Sequence, residues 1–347
     1  MKPLFSLVIP YYNNPGPLMR LLKSVAKSQD APGFEVVIVD DGSTEKFPIP
    51  NLKLIAYHLS LITLPKNRGP AVARNRGAAA ARGKFLVFLD SDVELFPDTL
   101  ANIAKIYEED PDIVALTGVW VKNQRSKAFF PNFKALRDWS YWINERDVRG
   151  YYFLFSTRIA SIKKAVFERL GGFNESYRAA LVEDIELTYR IARRYAVIFA
   201  PNVRVRHEFG GFWEIAKKYY LRSLHWVRLY RDRRQFDPVA TTGREAAAAL
   251  SAVALVVMVP LRLVTYFTLP HSLACLYLKS IYVSLCVGSV FQWLLIVIFG
   301  LHLFLVRKFL WFVWREKGIV FTVQSFLMGL VLYCFIAAGA AAGRVSK

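Results

Sequence analysis

"FLVFLDSDVELFPDTL", residues 85–100, is an apolar run that ends in two acids one residue apart, Asp90 and Asp92, before Pro97 opens a more polar stretch. A short apolar run bounded by turn residues reads as a strand buried on both faces. The two aspartates therefore leave the core where the strand ends. Residues 96–110 then predict a helix starting at Pro97, and Asp98 beside it offers a capping reason for some of the local acid.

The same grammar extends in both directions. "LFSLVIPYYNN", residues 4–14, and "FEVVIVDDGS", residues 34–43, are apolar strands ending in polar or acidic residues, with the helical spacing of "LMRLLKSVAKSQ" between them. "LKLIAYHLSLITLPKNRG", residues 52–69, has room for one or two strands, and "GPAVARNRGAAAARG", residues 69–83, predicts an Ala-rich helix. Downstream, "IVALTGVWV" predicts a strand and "RDWSYWINER" is aromatic-rich without a clear period. "GYYFLFSTRIASIKKAVFERLGGFNESY" predicts a strand, a short helix and a Gly-Gly turn; "LVEDIELTYRIARRYA" predicts a helix, and "VIFAPNVRVRHEFGGF" a strand running to His207. Apolar strands alternating with helices predict an α/β fold with a mostly parallel sheet covered on both faces. Ligands of such sheets bind outside the carboxyl ends of the strands. Asp40, Asp41, Asp90 and Asp92 all fall at strand exits and can share one crevice.

The C-terminal third follows different rules. Residues 246–267, 280–306 and 319–342 are three apolar stretches, each at or above the roughly 20 residues that a helix needs to cross about 30 Å of hydrocarbon. Together with a mean hydropathy of +0.27 over the chain they predict a multi-pass integral membrane protein. The N-terminal apolar run is short, Pro-terminated and lacks a small-residue cleavage site, so it reads as the first strand and not a signal peptide. Arg228, Arg231, Arg233, Arg234 and Arg244 precede the first stretch, and Arg307, Lys308, Arg315 and Lys317 lie between the second and third. Only Lys279 lies between the first and second. The positive-inside rule puts residues 1–245 on the cytoplasmic face. Cys275, Cys286 and Cys334 all lie in or beside the apolar stretches, leaving the soluble part without a thiol for a disulfide or a zinc site.

The formal net charge of +19 invites a nucleic-acid reading. Its concentration near membrane-facing sequence argues against nucleic acid and for anionic lipid or a phosphate-bearing substrate. Residues 212–234 place Trp213, Ala216, Tyr220, Leu224 and Val227 along one helical stripe, with Lys217, Lys218, Arg222 and Arg228 elsewhere, the pattern of a helix lying in the interface. "RKFLWFVWREKG", residues 307–318, is similar. The predicted organisation is a catalytic domain over 1–211, interfacial helices over 212–245 and a membrane domain over 246–347.

Paired carboxylates at a strand exit can hold a hard divalent cation that also takes substrate phosphate oxygens, which suits the departure of a diphosphate. Taken in order, "VIPYYNN", "VIVDDGS", "NRGPAVARNRGAAAARG", "FLDSD", "LGGFNESY" and "VEDIELTYRI" resemble the family 2 glycosyltransferases of GT-A-type fold over residues 4–210. That resemblance implies a nucleotide-sugar donor and Mg²⁺ or Mn²⁺. It implies that Asp41 hydrogen-bonds the base, that Pro10 and Tyr12 line it, and that Arg74 and Asn75 line the nucleotide side. Asp90 would contact ribose or metal, Asp92 would ligate the metal, and His207 would touch metal or diphosphate. Asp184, or its neighbour Glu183, would be the general base of an inverting transfer.

Membrane-bound relatives that polymerise polysaccharide carry a Gln or Arg, two residues, then Arg-Trp; here "RSLHW" puts His225 before Trp226. Together with only three apolar stretches, this disfavours a processive synthase. A domain held at the membrane predicts a membrane-embedded acceptor, either a lipid-linked sugar or a polyprenyl phosphate, with Trp213, Lys217, Arg222, His225 and Trp226 on the acceptor or membrane side. The rival from another class is a catalytically inactive membrane scaffold.

Overall fold

The computed structural model describes residues 2–45, 58–145, 152–234, 236, 242–268, 275–277 and 284–345. The chain divides into two compact units, Met1–Gly211 and Phe212–Lys347.

In the first unit the described strands form one eight-stranded sheet. They are β1 (Phe5–Tyr11), β2 (Phe34–Asp40), β3 (Leu59–Thr63), β4 (Phe85–Leu89), β5 (Val93–Leu95), β6 (Ala115–Trp120), β7 (Ile159–Lys163) and β8 (Val197–His207), in the spatial order β3-β2-β1-β4-β7-β6-β8-β5. The half from β3 to β4 is parallel throughout. Its strands β1, β2 and β4 are almost wholly buried, as their unbroken apolar runs require. The other half is mixed, because β7 runs antiparallel to both β4 and β6, and β5 antiparallel to β8, while β6 and β8 are parallel. The mostly parallel sheet read from the sequence is thus present, as a mixed sheet whose first half is parallel throughout.

The helices of this unit are α1 (Pro15–Val25), α2 (Pro70–Ala80), α3 (Thr99–Glu109), α4 (Phe129–Trp139), α5 (Lys164–Arg169) and α6 (Glu183–Ala192). The unassigned aromatic stretch forms the end of α4 and a π-helical turn at Ser140–Asn144. Helix α2 has a weak apolar stripe but packs very closely. A Cβ on Gly77 would lie 2.5 Å from the Val8 Cγ1 atom of β1, so the Ala- and Gly-rich composition is what lets the helix approach the sheet. Helix α3 starts two residues after Pro97. Asp98 sits at its N-cap without a side-chain cap, and instead accepts from Asn102 and pairs with Arg204.

Among the described residues the second unit is helical apart from one antiparallel strand pair. It holds α7 (Phe212–Arg233), α8 (Gly243–Thr268), the strand pair β9 (Cys275–Tyr277) and β10 (Ser284–Cys286), and α9 (Val287–Val345). Gly318 breaks α9 with φ 79° and ψ −179°, a left-handed φ that glycine adopts without steric cost. Among the described residues two helical stretches, Gly243–Val264 and Val290–Val345, are long and apolar enough to cross a membrane, each with mean hydropathy 2.2. The second apolar stretch expected over 280–306 becomes helical only at Val287; residues 278–283 lie outside the described set.

The stripe expected to face lipid on α7 is partly covered within its own unit. A Cβ on Gly339 would meet the Tyr220 carbonyl oxygen at 2.1 Å, and one on Gly343 the Leu224 carbonyl at 2.5 Å. "GAAAG", residues 339–343, is thus a small-residue face on which α7 rests backbone to backbone. Ala216 and Val227 are buried accordingly, while Trp213 remains 75% exposed.

Candidate functional site

The carboxyl ends of β1, β2 and β4 carry the polar residues that the sequence places after each strand. The register aligns Tyr11 with Asp40, and the two exit loops are tied together. The Asn13 side-chain oxygen accepts from the Thr44 amide at 2.9 Å, and the Ser43 hydroxyl accepts from the Asn13 amide at 2.9 Å. Pro10 sits within β1 and Tyr12 just beyond it, with its ring exposed at the exit.

Asp41, expected to hydrogen-bond the base, is engaged within the chain. Its two carboxylate oxygens accept the backbone amides of Arg68 and Gly69, each at 2.8 Å, and the residue is buried. Burial pushes its carboxyl above the ordinary range against the pull of those two amide donors. Asp41 thereby pins the turn that starts α2. Gly69 must be glycine there, with φ 94° and no room for a Cβ against the Arg178 backbone.

Arg74 and Asn75, expected on the nucleotide side, are internal ties. The buried Arg74 guanidinium donates to Glu183 Oε1 at 2.9 Å and to Asp90 Oδ1 at 2.7 Å, and its Cζ lies 5.5 Å from the centre of the Phe173 ring. The two carboxylates outweigh burial and hold the guanidinium charged. Asn75 accepts from the Phe173 amide and donates to the Phe173 carbonyl, each at 2.8 Å, fixing the Gly171-Gly172 turn. One turn of α2 therefore ties the β4 exit, the start of α6 and the Gly-Gly loop into one assembly.

This arrangement separates the acid pairs. Glu183 is buried, holds Arg74, and accepts the Leu181 amide through its other oxygen at 2.8 Å. Asp184 is half-buried at the same helix start and accepts the Ile185 amide at 2.8 Å. Asp90 is turned toward Arg74, whereas Asp92 is 45% exposed and faces His207, whose Nε2 lies 3.5 Å from Asp92 Oδ2. The latter pairing follows from register, because β5 starts right after Asp92 and Val93 lies opposite His207. The other imidazole nitrogen, His207 Nδ1, is buried with no hydrogen-bond partner.

A cation at this place would meet one carboxylate and one imidazole, with the remaining positions left to water and substrate oxygen. That is an open donor set which Mn²⁺ or Mg²⁺ accepts. Among the described residues no three His, Cys, Asp or Glu side chains converge as a preformed cage. Asp92 and His207 lie together, while Asp90, expected to contact ribose or metal, is bonded to Arg74 through one oxygen.

Four residues went unnoticed in the sequence. Gln124 donates to the His207 carbonyl and accepts the Phe209 amide, each at 2.9 Å, bracing the segment that carries the imidazole. Arg158 stacks on Trp120 with its Cζ 4.4 Å from the ring centre. Lys134 and Asp138 form a close ion pair on α4. Burial favours the neutral form of Asp138, but Lys134 and Arg158 prevail and hold its carboxyl below the ordinary range. No local pattern marks Gln124 or Arg158, since each acts through residues distant in sequence, whereas Lys134 and Asp138 stand four positions apart on one helix.

In the second unit, Trp213 packs edge-on against Phe212 and Phe335, and Trp226 lies against Tyr230 and Phe236. Lys217 is exposed, and the Arg222 Nε is buried without a partner. Burial, with Arg228 nearby, holds His225 below the usual histidine range.

Residues 6–171 match the model of glycosyl transferase family 2. The succinoglycan biosynthesis protein ExoO of Rhizobium meliloti is 36% identical over 124 residues, which are 33% of this chain and 35% of that protein. The pre-mycofactocin glycosyltransferase of Mycobacterium tuberculosis is 28% identical over 211 residues, 58% of this chain and 42% of that protein. The chain thus spans less than half the length of these relatives. Among solved structures, the mannosyltransferase PcManGT from Pyrobaculum calidifontis, in complex with GDP-Man and Mn²⁺, superposes with TM-score 0.55 at 18% identity. The match covers 100% of this chain and 88% of that one, and shows the GT-A-like fold followed by long C-terminal helices.

Proposed function

We propose that this chain, whose residues 6–171 form a family 2 glycosyltransferase domain, transfers a sugar with inversion from a nucleotide-diphosphate sugar to a membrane-embedded acceptor. That acceptor is a lipid-linked sugar or a polyprenyl phosphate. The observation that carries the reading is the pairing of an exposed Asp92 with His207 at the same sheet end as a second, separate carboxylate pair at the start of α6.

Asp92 and His207 would hold Mn²⁺ or Mg²⁺, which when bound offsets the negative charge of the departing diphosphate. The Mn²⁺ in the solved relative of similar fold supports that choice. Tyr12 and the tied exit loops of β1 and β2 would form the wall for the base, and Asp90, held by Arg74 through one oxygen, would present the other to the ribose.

Glu183 is committed to Arg74 and a backbone amide, so the proton of an acceptor hydroxyl falls to Asp184. With a phosphate acceptor, whose oxygen is already deprotonated, Asp184 would instead orient the nucleophile. The apolar surfaces of α8 and α9, with Leu250, Val297 and Val320 all exposed, support anchoring in a bilayer. Such anchoring brings a lipid-borne acceptor to a dissolved donor.

The test is nucleotide release by the full chain in membranes, screened over UDP- and GDP-sugars with a lipid extract, followed by the mass of the lipid product. A metal-dependent release with a glycosylated lipid is expected. Release without any lipid product, or no metal-dependent nucleotide binding at all, would remove the assignment.

A further inference from the structure

Arg158 precedes β7 by one residue and carries no local motif. Its neighbours in the sheet give it a setting. Leu89 of β4 lies opposite Ile159 of β7 in antiparallel register, so the next residues outward, Asp90 and Arg158, leave the sheet side by side. The link Asp90–Asp92 joins β4 to β5, strands separated in the sheet by β7, β6 and β8. Arg158 stands at the start of β7, the strand next to β4, where that link begins.

The guanidinium is oriented but not consumed. Its Cζ lies 4.4 Å from the Trp120 ring centre and 6.0 Å from that of Phe209. The Phe209 ring in turn packs against the His207 imidazole at 4.6 Å, so Arg158 and the Asp92–His207 pair flank one aromatic side chain. Arg158 is half-buried. Among the described residues none of its nitrogens has a hydrogen-bond or ion-pair partner. The nearby carboxylate, Asp138, is bonded to Lys134. Lys134 also lies 5.0 Å from the Phe209 ring centre, so its charge and that of Asp138 offset each other beside Arg158. Trp120 adds a buried indole N–H without a partner.

An arginine placed over an aromatic ring, with its donor fork free and beside the carboxylate of Asp90, suits bidentate recognition of a tetrahedral oxyanion. A lysine would not keep that geometry, and a purely structural arginine would bond a carbonyl or carboxylate, as Arg74 does.

We propose that Arg158 is a phosphate anchor of the crevice, binding a phosphoryl group with its guanidinium fork. The proposal rests on the glycosyl-transfer reading only for what carries that phosphate, the diphosphate of the donor or the phosphate of the lipid acceptor.

The experiment measures equilibrium binding to the full chain in detergent for wild type, R158K and R158A. The probes are UDP and GDP with Mn²⁺, farnesyl phosphate, and farnesol as the phosphate-free control. Loss of a charge-assisted fork is expected to weaken one phosphate ligand about 10- to 100-fold in R158A, with R158K between it and wild type. Farnesol binding and the thermal midpoint should stay unchanged. A loss confined to farnesyl phosphate assigns the anchor to the acceptor, and one confined to UDP or GDP assigns it to the donor. Equal affinities of wild type and R158A for every phosphate probe would overturn the proposal, as would an equal loss for farnesol. Wild type that binds farnesyl phosphate but no nucleotide would instead count against the proposed function and leave the Arg158 comparison readable.

Discussion

Asp92 and His207 stand 115 positions apart in the chain (207 − 92), yet the antiparallel pairing of Val93 with His207 brings Asp92 Oδ2 to 3.5 Å from His207 Nε2. Removal of either donor is expected to weaken Mn²⁺-dependent nucleotide binding and to lower turnover about 10²- to 10³-fold, the range for loss of one group that stabilises developing charge. Titration of Mn²⁺ against nucleotide affinity in D92N and H207A checks this. Retained metal dependence in both variants would move the cation elsewhere.

The adjacent acids Glu183 and Asp184 should fail differently. Replacing Glu183 by Gln leaves the buried Arg74 with one carboxylate, and replacing Arg74 by Met leaves Glu183 buried and unpaired. Breaking a buried pair costs about 3 to 5 kcal/mol, visible as a lower midpoint in thermal or denaturant melts. D184N should keep the melting behaviour and nucleotide affinity while reducing kcat about 10²- to 10⁴-fold if the acceptor is a hydroxyl. A D184N enzyme with full turnover would indicate an acceptor that needs no base.

Glu35 sets a pH dependence of stability. It accepts from the Ser6 hydroxyl at 2.6 Å and from the Arg82 amide and guanidinium at 2.5 and 2.8 Å. Burial favours the neutral acid, but these donors prevail and hold the carboxyl below its ordinary value of 4.5. A depressed value means that the folded state binds fewer protons than the unfolded one. The stabilisation is therefore full above the ordinary value and is lost as pH falls through the folded one. Melts from pH 6 downward should decline less steeply below about pH 4.5 in E35Q than in wild type.

Close approach of α7 to the end of α9 depends on hydrogen atoms at Gly339 and Gly343. Leucine at Gly339 would place carbon against the Tyr220 carbonyl, where a Cβ already has only 2.1 Å. Overpacking of this kind costs about 1 to 3 kcal/mol. The expected readout is a lower thermal midpoint of the detergent-solubilised chain. A side-chain addition at Gly300, which has no neighbour within 4 Å of its Cβ position, should leave that midpoint in place.

The local code determined a great deal of this protein. Apolar runs of strand length, the glycines of the turns and the helical spacing of α1 and α6 are short-range consequences of backbone sterics and burial. They suffice to put Asp41, Asp90 and Asp92 at strand exits and Glu183 with Asp184 at a helix start. The long apolar helices are equally local, because their composition alone states which solvent they suit.

Pairing over distance was decided by the tertiary structure, since charge and hydrogen-bond partners are chosen by proximity in space. Arg74 meets Glu183 across 109 positions, so a residue expected on the nucleotide side and one of the two candidate bases are tied to each other within the fold. Asp41 is diverted to two backbone amides, and the direction of β7 sets Arg158 beside Asp90. A carboxylate or guanidinium has the same intrinsic chemistry at every position in the chain. Burial and the nearest opposite charge settle whether it holds the fold or remains available to a ligand.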